Sequence, residues 1–269
     1  MDKTRPGRIM VHGHRGARAR LPENTLPGFE YAIMEGVDAI EMDLAVTRDN
    51  IVVVSHDPYL EPPQCTGPRP IARIRELTSD EVRLWECGAV AHPNFPKQTP
   101  LPGLRIPALE EVFALAERGD FDFSLEAKIF PDEPDLTPLP EEFASLVLAL
   151  IRRHGLEHRV LFQSFDFRIL RAMHNLAPEI RGAAVFAELP EGSDFIAMAR
   201  EAGVRIVASQ FRLATIERVR AAHEAGVEVM AWTPNTPADW ETLISAQVDT
   251  LVSDDPAELI AYLRSKGLR

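Results

Sequence analysis

Cysteine is scarce in this chain, with two among 269 residues, and no apolar run approaches the roughly 18 residues that cross a bilayer. Two cysteines, Cys65 and Cys87, cannot build a disulfide scaffold, so they read as free thiols of a reducing compartment. The opening MDKTRPGRIMVHGHRG has no apolar segment of signal-peptide length. With no anchor either, the expected location is cytoplasmic. Positive charge is also in deficit: 29 Lys and Arg against 41 Asp and Glu give a net charge of -12 with no polybasic block. That argues against nucleic acid and anionic membranes as partners and leaves a small-molecule substrate, held by local cations if it is itself an anion. Oligomeric state is not legible.

What is present is an ordinary globular composition, 45% hydrophobic and 26% charged. The length suits one α/β barrel, which uses about 250 residues. Short β-branched or apolar runs alternate with helical patterns throughout. Strands are expected near 9–13, 38–44, 120–126, 159–164, 181–187, 204–208, 227–232 and 248–252. Helices fit at about 24–35, 108–118, 140–154, 166–176, 191–202, 214–225, 237–246 and 256–266. Asn24 or Thr25, Asp166 and Thr215 offer N-cap oxygens, and two EAGV stretches end helices on glycine. Eight βα units predict a single (β/α)8 TIM-like barrel over 1–269, with reactive groups at the C-terminal strand ends. A doubly wound sheet would carry a GxGxxG turn after its first strand, and HGHRGARAR lacks that order.

One segment breaks the cadence. TRDN between AIEMDLAV and IVVVSHD is too short for a parallel crossover, so 51–56 should return antiparallel, with His56 opposite Glu41. The proline-rich stretch 58–106 reads as an insertion, a small lid over one barrel end.

The hairpin carries chemistry. Glu41 and Asp43 share a strand face while Ile40, Met42 and Leu44 form the apolar one. Isolated acids of this kind are usually solvated, but two facing a barrel interior repel unless a cation lies between them. Hard carboxylate oxygens favour Mg²⁺ or Ca²⁺ over zinc. Glu126 in SLEAK supplies a third ligand, with Lys128 on the same face as an anion clamp, although a plain Glu–Lys pair is the blander reading. His14 and Arg15 fall at the end of the first strand, where Arg15 can bind phosphate and His56 offers a second proton carrier. His12 sits deeper and reads as structural.

With HRGARARLPENTLPGF, AIEMDLAVTRDNIVVVSHDP, SLEAK, FQSFD and AWTPN in this order, the chain resembles the glycerophosphodiester phosphodiesterase family. The resemblance implies divalent-metal-dependent hydrolysis of glycerophosphodiesters to an alcohol and sn-glycerol 3-phosphate. It implies His14 and His56 as the acid/base pair, Glu41, Asp43 and Glu126 as metal ligands, Arg15 and Lys128 as phosphate contacts, and Trp232 in the glycerol pocket. The sequence departs from the family late: in QVDTLVSDDP, Gln247 replaces a turn glycine and Ser253 a threonine. Two other functions fit less well. A lysophospholipase D needs an acyl groove, for which LPGLRIPAL is the loop-like candidate, and a non-catalytic phospholigand barrel predicts a missing site residue.

Overall fold

The computed structural model describes residues 8–269; residues 1–7, the start of the MDKTRPGRIMVHGHRG opening, lie outside the described residues. Eight parallel strands form a closed barrel: β1 (Met10–Gly13), β2 (Ala39–Val46), then β8 (Asp122–Ala127), β9 (Val160–Ser164), β10 (Arg181–Phe186), β11 (Ile206–Gln210), β12 (Glu228–Trp232) and β13 (Thr250–Ser253). Their hydrogen-bonded order is β1-β13-β12-β11-β10-β9-β8-β2, and β1 also pairs with β2, so no barrel edge is left open. Five smaller strands lie between β2 and β8: β3 (Val52–Val54), β4 (Tyr59–Leu60), β5 (Cys65–Thr66), β6 (Ala72–Arg73) and β7 (Glu86–Cys87). The helices are α1 (Leu26–Glu35), α2 (Ser79–Val82), α3 (Leu109–Phe113), α4 (Pro140–His154), α5 (Phe167–Leu176), α6 (Phe195–Ala202), α7 (Ile216–Glu224), α8 (Pro237–Ser245) and α9 (Pro256–Ser265).

Period-two alternation explains the layers. On β2, Ile40, Met42, Leu44 and Val46 join Phe29, Phe123, Leu125 and Phe162 in the large core between barrel and helices. The barrel interior has a separate apolar layer of Leu161, Ala183, Val185, Ala208, Met230 and Val252. Thr25, Asp166 and Thr215 cap α1, α5 and α7 through their side-chain oxygens. The helix expected from 108 shortens to α3 followed by a 3₁₀ turn over Ala114–Arg118. The helix expected from 191 starts at Phe195, after its Asp194 cap.

Two expectations are corrected. The β2–β3 ladder pairs Leu44 with Val54 and Val46 with Val52, one residue from the expected register. The turn centres on Asp49, because Asn50 adopts a left-handed φ of 60° and the Thr47 hydroxyl bonds both Asp49 (2.6 Å) and the Ile51 carbonyl (3.1 Å). Ser55, whose amide donates to the Asp43 carbonyl (3.0 Å), therefore lies across from Asp43, and His56 is not opposite Glu41. The cysteines are not free thiols: β5 pairs antiparallel with β7, setting Cys65 opposite Cys87 with Cα atoms 4.2 Å apart, and they form a disulfide. As disulfide partners the two cysteines give no pointer to a reducing compartment. The insertion has its own small core of Leu60, Ile74, Leu77, Val82, Trp85 and Ile106, seated on Ala45 and Val53 of the hairpin.

Candidate active site

The C-terminal mouth of the barrel gathers the charged residues that the sequence singled out. β2 and β8 run in parallel register with Asp43 beside Glu126, so the inward faces of neighbouring strands bring Glu41, Asp43 and Glu126 together. All three are buried, and one carboxylate oxygen from each lies within 4.8 Å of the others. Lys128 continues the β8 face, its Nζ 2.5 Å from Glu126 Oε1 and 3.0 Å from Asp43 Oδ1.

Arg15 reaches the same acids from the β1–α1 turn. Its amide donates to Glu41 Oε2 (2.9 Å), its Nε lies 3.1 Å from Asp43 Oδ2, and its Nη1 donates to Glu23 (2.7 Å). The turn is tight: a Cβ on Gly13 would sit 2.2 Å from the Gly16 carbonyl oxygen, and Gly16 has φ 86°. Arg15 (φ 49°) and Asn24 (φ 56°) also adopt left-handed backbone, a conformation costly for residues with a Cβ and concentrated at functional sites. Asn24 uses it to donate through Nδ2 to Asp43 Oδ2 (2.9 Å).

The electrostatics follow from burial and imbalance. Burial, then repulsion from Asp43 and Glu126, raises Glu41 well above the carboxylate range. Burial pushes Asp43 the same way, but Lys128 and Arg15 outweigh it and hold Asp43 well below its ordinary value. Burial also raises Glu126, with Lys128 opposing and Asp43 adding. Lys128 and Arg15 are both raised, because the acids overcome the burial that would lower them. Three carboxylates thus face two cations, and buried Asp43 Oδ1 has the Lys128 charge nearby but no hydrogen bond of good geometry. A hard divalent cation fits that donor set in charge and ligand type.

The two histidines stand differently. His14 Nδ1 is 2.5 Å from Asp254 Oδ1, and its Nε2 lies 3.9 Å from Glu41 Oε2. Burial lowers His14 despite Asp254, while Asp254, though also buried, is held below its ordinary value by the His14 hydrogen bond. The His14 ring is thus held between the Asp254 carboxylate at Nδ1 and the Glu41 side at Nε2. Asn235 Nδ2 donates to the other oxygen of Asp254 (2.6 Å). His56 is about a third exposed and sits beyond the β3 ladder with Nδ1 2.8 Å from Asp57, its charge still acting on Asp43 and Glu126. Trp232 has its one hydrogen-bond donor spent away from the acids. Its Nε1 donates to the Ala208 carbonyl (2.9 Å), and its ring meets Phe165 edge-on at 5.7 Å, with Lys128 Nζ 5.7 Å from the Phe165 centroid.

Asp254, Glu23, Gln163 and Phe165 carried no signal of their own in the sequence, and Asn24, which offered an N-cap oxygen, instead turns to Asp43 while Thr25 caps α1. Gln163 Nε2 donates to Glu41 Oε1 (3.3 Å). PENT and SDDP contained Asn24 and Asp254, but nothing local announces that one meets Asp43 and the other His14 across 240 residues.

Comparisons with known proteins agree along the whole chain. The profile of the glycerophosphoryl diester phosphodiesterase family matches residues 14–258. A glycerophosphodiester phosphodiesterase of Caldanaerobacter subterraneus subsp. tengcongensis is 29% identical over 97% of this chain and 100% of its own length. The structure of a candidate glycerophosphoryl diester phosphodiesterase from Silicibacter pomeroyi DSS-3 superposes with a TM-score of 0.88, at 31% identity, covering 97% of this chain and 95% of that one. A phosphodiesterase of Oleispira antarctica, solved with the product sn-glycerol 3-phosphate, shares the fold with a TM-score of 0.81 at 22% identity, over 96% of this chain and 97% of that one. With a profile match spanning nearly all of its length, the chain belongs to the glycerophosphoryl diester phosphodiesterase family.

Proposed function

We propose that the chain hydrolyses glycerophosphodiesters to an alcohol and sn-glycerol 3-phosphate, with a divalent cation held by Glu41, Asp43 and Glu126 and proton transfers divided between His14 and His56. The observation that carries this reading is the buried acid triad with ligand atoms within 4.8 Å, flanked by Arg15, Lys128 and two histidines each held by a carboxylate. When bound, Mg²⁺ or Ca²⁺ supplies positive charge to the phosphoryl oxygens as charge builds on them.

The chain's own groups do the rest. Arg15 and Lys128, already fixed by the acids, present their remaining N–H donors to the phosphate. Asp254 accepts from His14 Nδ1, which leaves Nε2 free to take the proton of the attacking oxygen. His56, held by Asp57 on the open side, gives its proton to the departing alkoxide. The Trp232–Phe165 pair offers an apolar wall to the glycerol carbons.

Incubation with glycerophosphocholine and either ion, followed by an assay of glycerol 3-phosphate, tests the reading. EDTA should abolish release, and His14→Ala should slow it about 10²–10⁴-fold. No release with either ion, or release indifferent to both changes, would refute it.

A further inference from the structure

A phosphodiester has two arms, and the barrel mouth accounts for one. Between the rim and the insertion lies a cavity of about 90 Å³ that shares His56 with the mouth but is lined by none of the three acids and not by Trp232. The disulfide between Cys65 and Cys87 forms part of its wall, so the insertion side is covalently braced.

The charges on that wall are mostly spent. Glu23 is held by Arg15 (2.7 Å) and Arg18 (2.8 Å), and Asp57 by His56 (2.8 Å). Tyr59, the aromatic side chain that could cradle a quaternary ammonium, has the Arg73 guanidinium 5.9 Å from its ring centroid, and its hydroxyl donates to Glu133 (3.0 Å). Arg105 is different. It lines the cavity, is exposed, and among the described residues has no ion pair or hydrogen bond. A cationic alcohol would find there no carboxylate without a basic partner and a Tyr59 ring already facing Arg73, whereas a carboxylate would find an uncommitted planar donor.

Resting on the reading above, we propose that this cavity is the leaving-alcohol subsite and that Arg105 selects alcohols carrying a carboxylate. In the reaction, the bond between phosphorus and the alcohol oxygen breaks and its electron pair stays on that oxygen, which takes the His56 proton. Water forms the new P–O bond and gives its proton to His14. The freed alcohol then lies beside Arg105.

Glycerophosphoserine and glycerophosphoethanolamine differ by one carboxylate on the leaving group, which makes them the clean pair of probes. For the unaltered protein with Mg²⁺ or Ca²⁺, kcat/KM for the serine diester should exceed that for the ethanolamine diester by about fivefold, the value of one exposed charge-assisted contact. Arg105→Gln should bring the ratio to about one, and Arg105→Lys should retain part of it. A ratio of one or less in the unaltered protein, or a ratio unchanged by Arg105→Gln, would overturn the subsite while leaving the hydrolase reading intact. Hydrolysis of neither diester with either ion would overturn both.

Discussion

At the barrel mouth, Glu41, Asp43 and Glu126 share two cations, Arg15 and Lys128. At the opposite end, buried Asp38 accepts from the Val11 amide (2.8 Å), Arg8 (2.5 Å) and Arg269, while Asp122 pairs with Arg181 at 2.8 Å. Both ends remove charge from water, which is favourable only when each group finds partners. The lower end pairs its acids and gains cohesion. The mouth sets three carboxylates against two cations and holds two residues in left-handed backbone, an arrangement that costs stability. Charge balance, rather than burial, is what distinguishes the two clusters.

The sharpest way to break this contrast is to remove charge at each end. Glu41→Gln should slow hydrolysis by roughly a thousandfold, since a lost ligand weakens several kcal/mol of transition-state stabilisation. In EDTA the same change should raise the melting temperature, because burial first, and then repulsion from Asp43 and Glu126, hold the Glu41 carboxyl above its ordinary pKa. A lower melting temperature would contradict the surplus-charge account. Asp38→Ala should do the reverse: breaking a buried pair costs about 3–5 kcal/mol, read by urea denaturation, while kcat of the folded fraction is kept.

His12 tests the lower end by pH. Burial lowers it to about 4 against Asp38 and Asp122, which pull it up. Between pH 6.5 and 4 the unfolded chain therefore binds the extra proton, so stability rises with pH through that window and is lost as pH falls. The loss should approach about 3 kcal/mol at pH 4 and then level off. His12→Gln should flatten this slope relative to the unaltered protein. The smallest effect belongs to Gln247, whose φ of 62° places a side chain where glycine is at ease. Gln247→Gly should stabilise by about 0.5–1 kcal/mol in thermal or urea unfolding.

Much of the barrel was readable along the chain because its signals are local. Alternating apolar residues such as Ile40, Met42 and Leu44 fix which face of β2 meets the helices, and Thr25, Asp166 and Thr215 mark helix starts with oxygens that act within three residues. The hairpin register escaped by one residue, because Asn50 in left-handed backbone lengthens the turn and no pattern in IVVV distinguishes one register from the next. Cys65 and Cys87 became partners through pairing of two-residue strands too short to leave any periodicity.

By itself the sequence determined the strand and helix cadence, the inward parity of Glu41, Asp43, Glu126 and Lys128, and the motifs that name the family. Tertiary structure alone decided which distant groups meet. It set Asp254 against His14, Asn24 against Asp43 and Arg105 beside the cavity at His56, because closing the barrel joins β1 to β13 and folds the insertion over the rim. Contacts within a turn obey short-range stereochemistry that each residue carries with it. Contacts across the barrel depend on how eight strands close, which no single segment encodes.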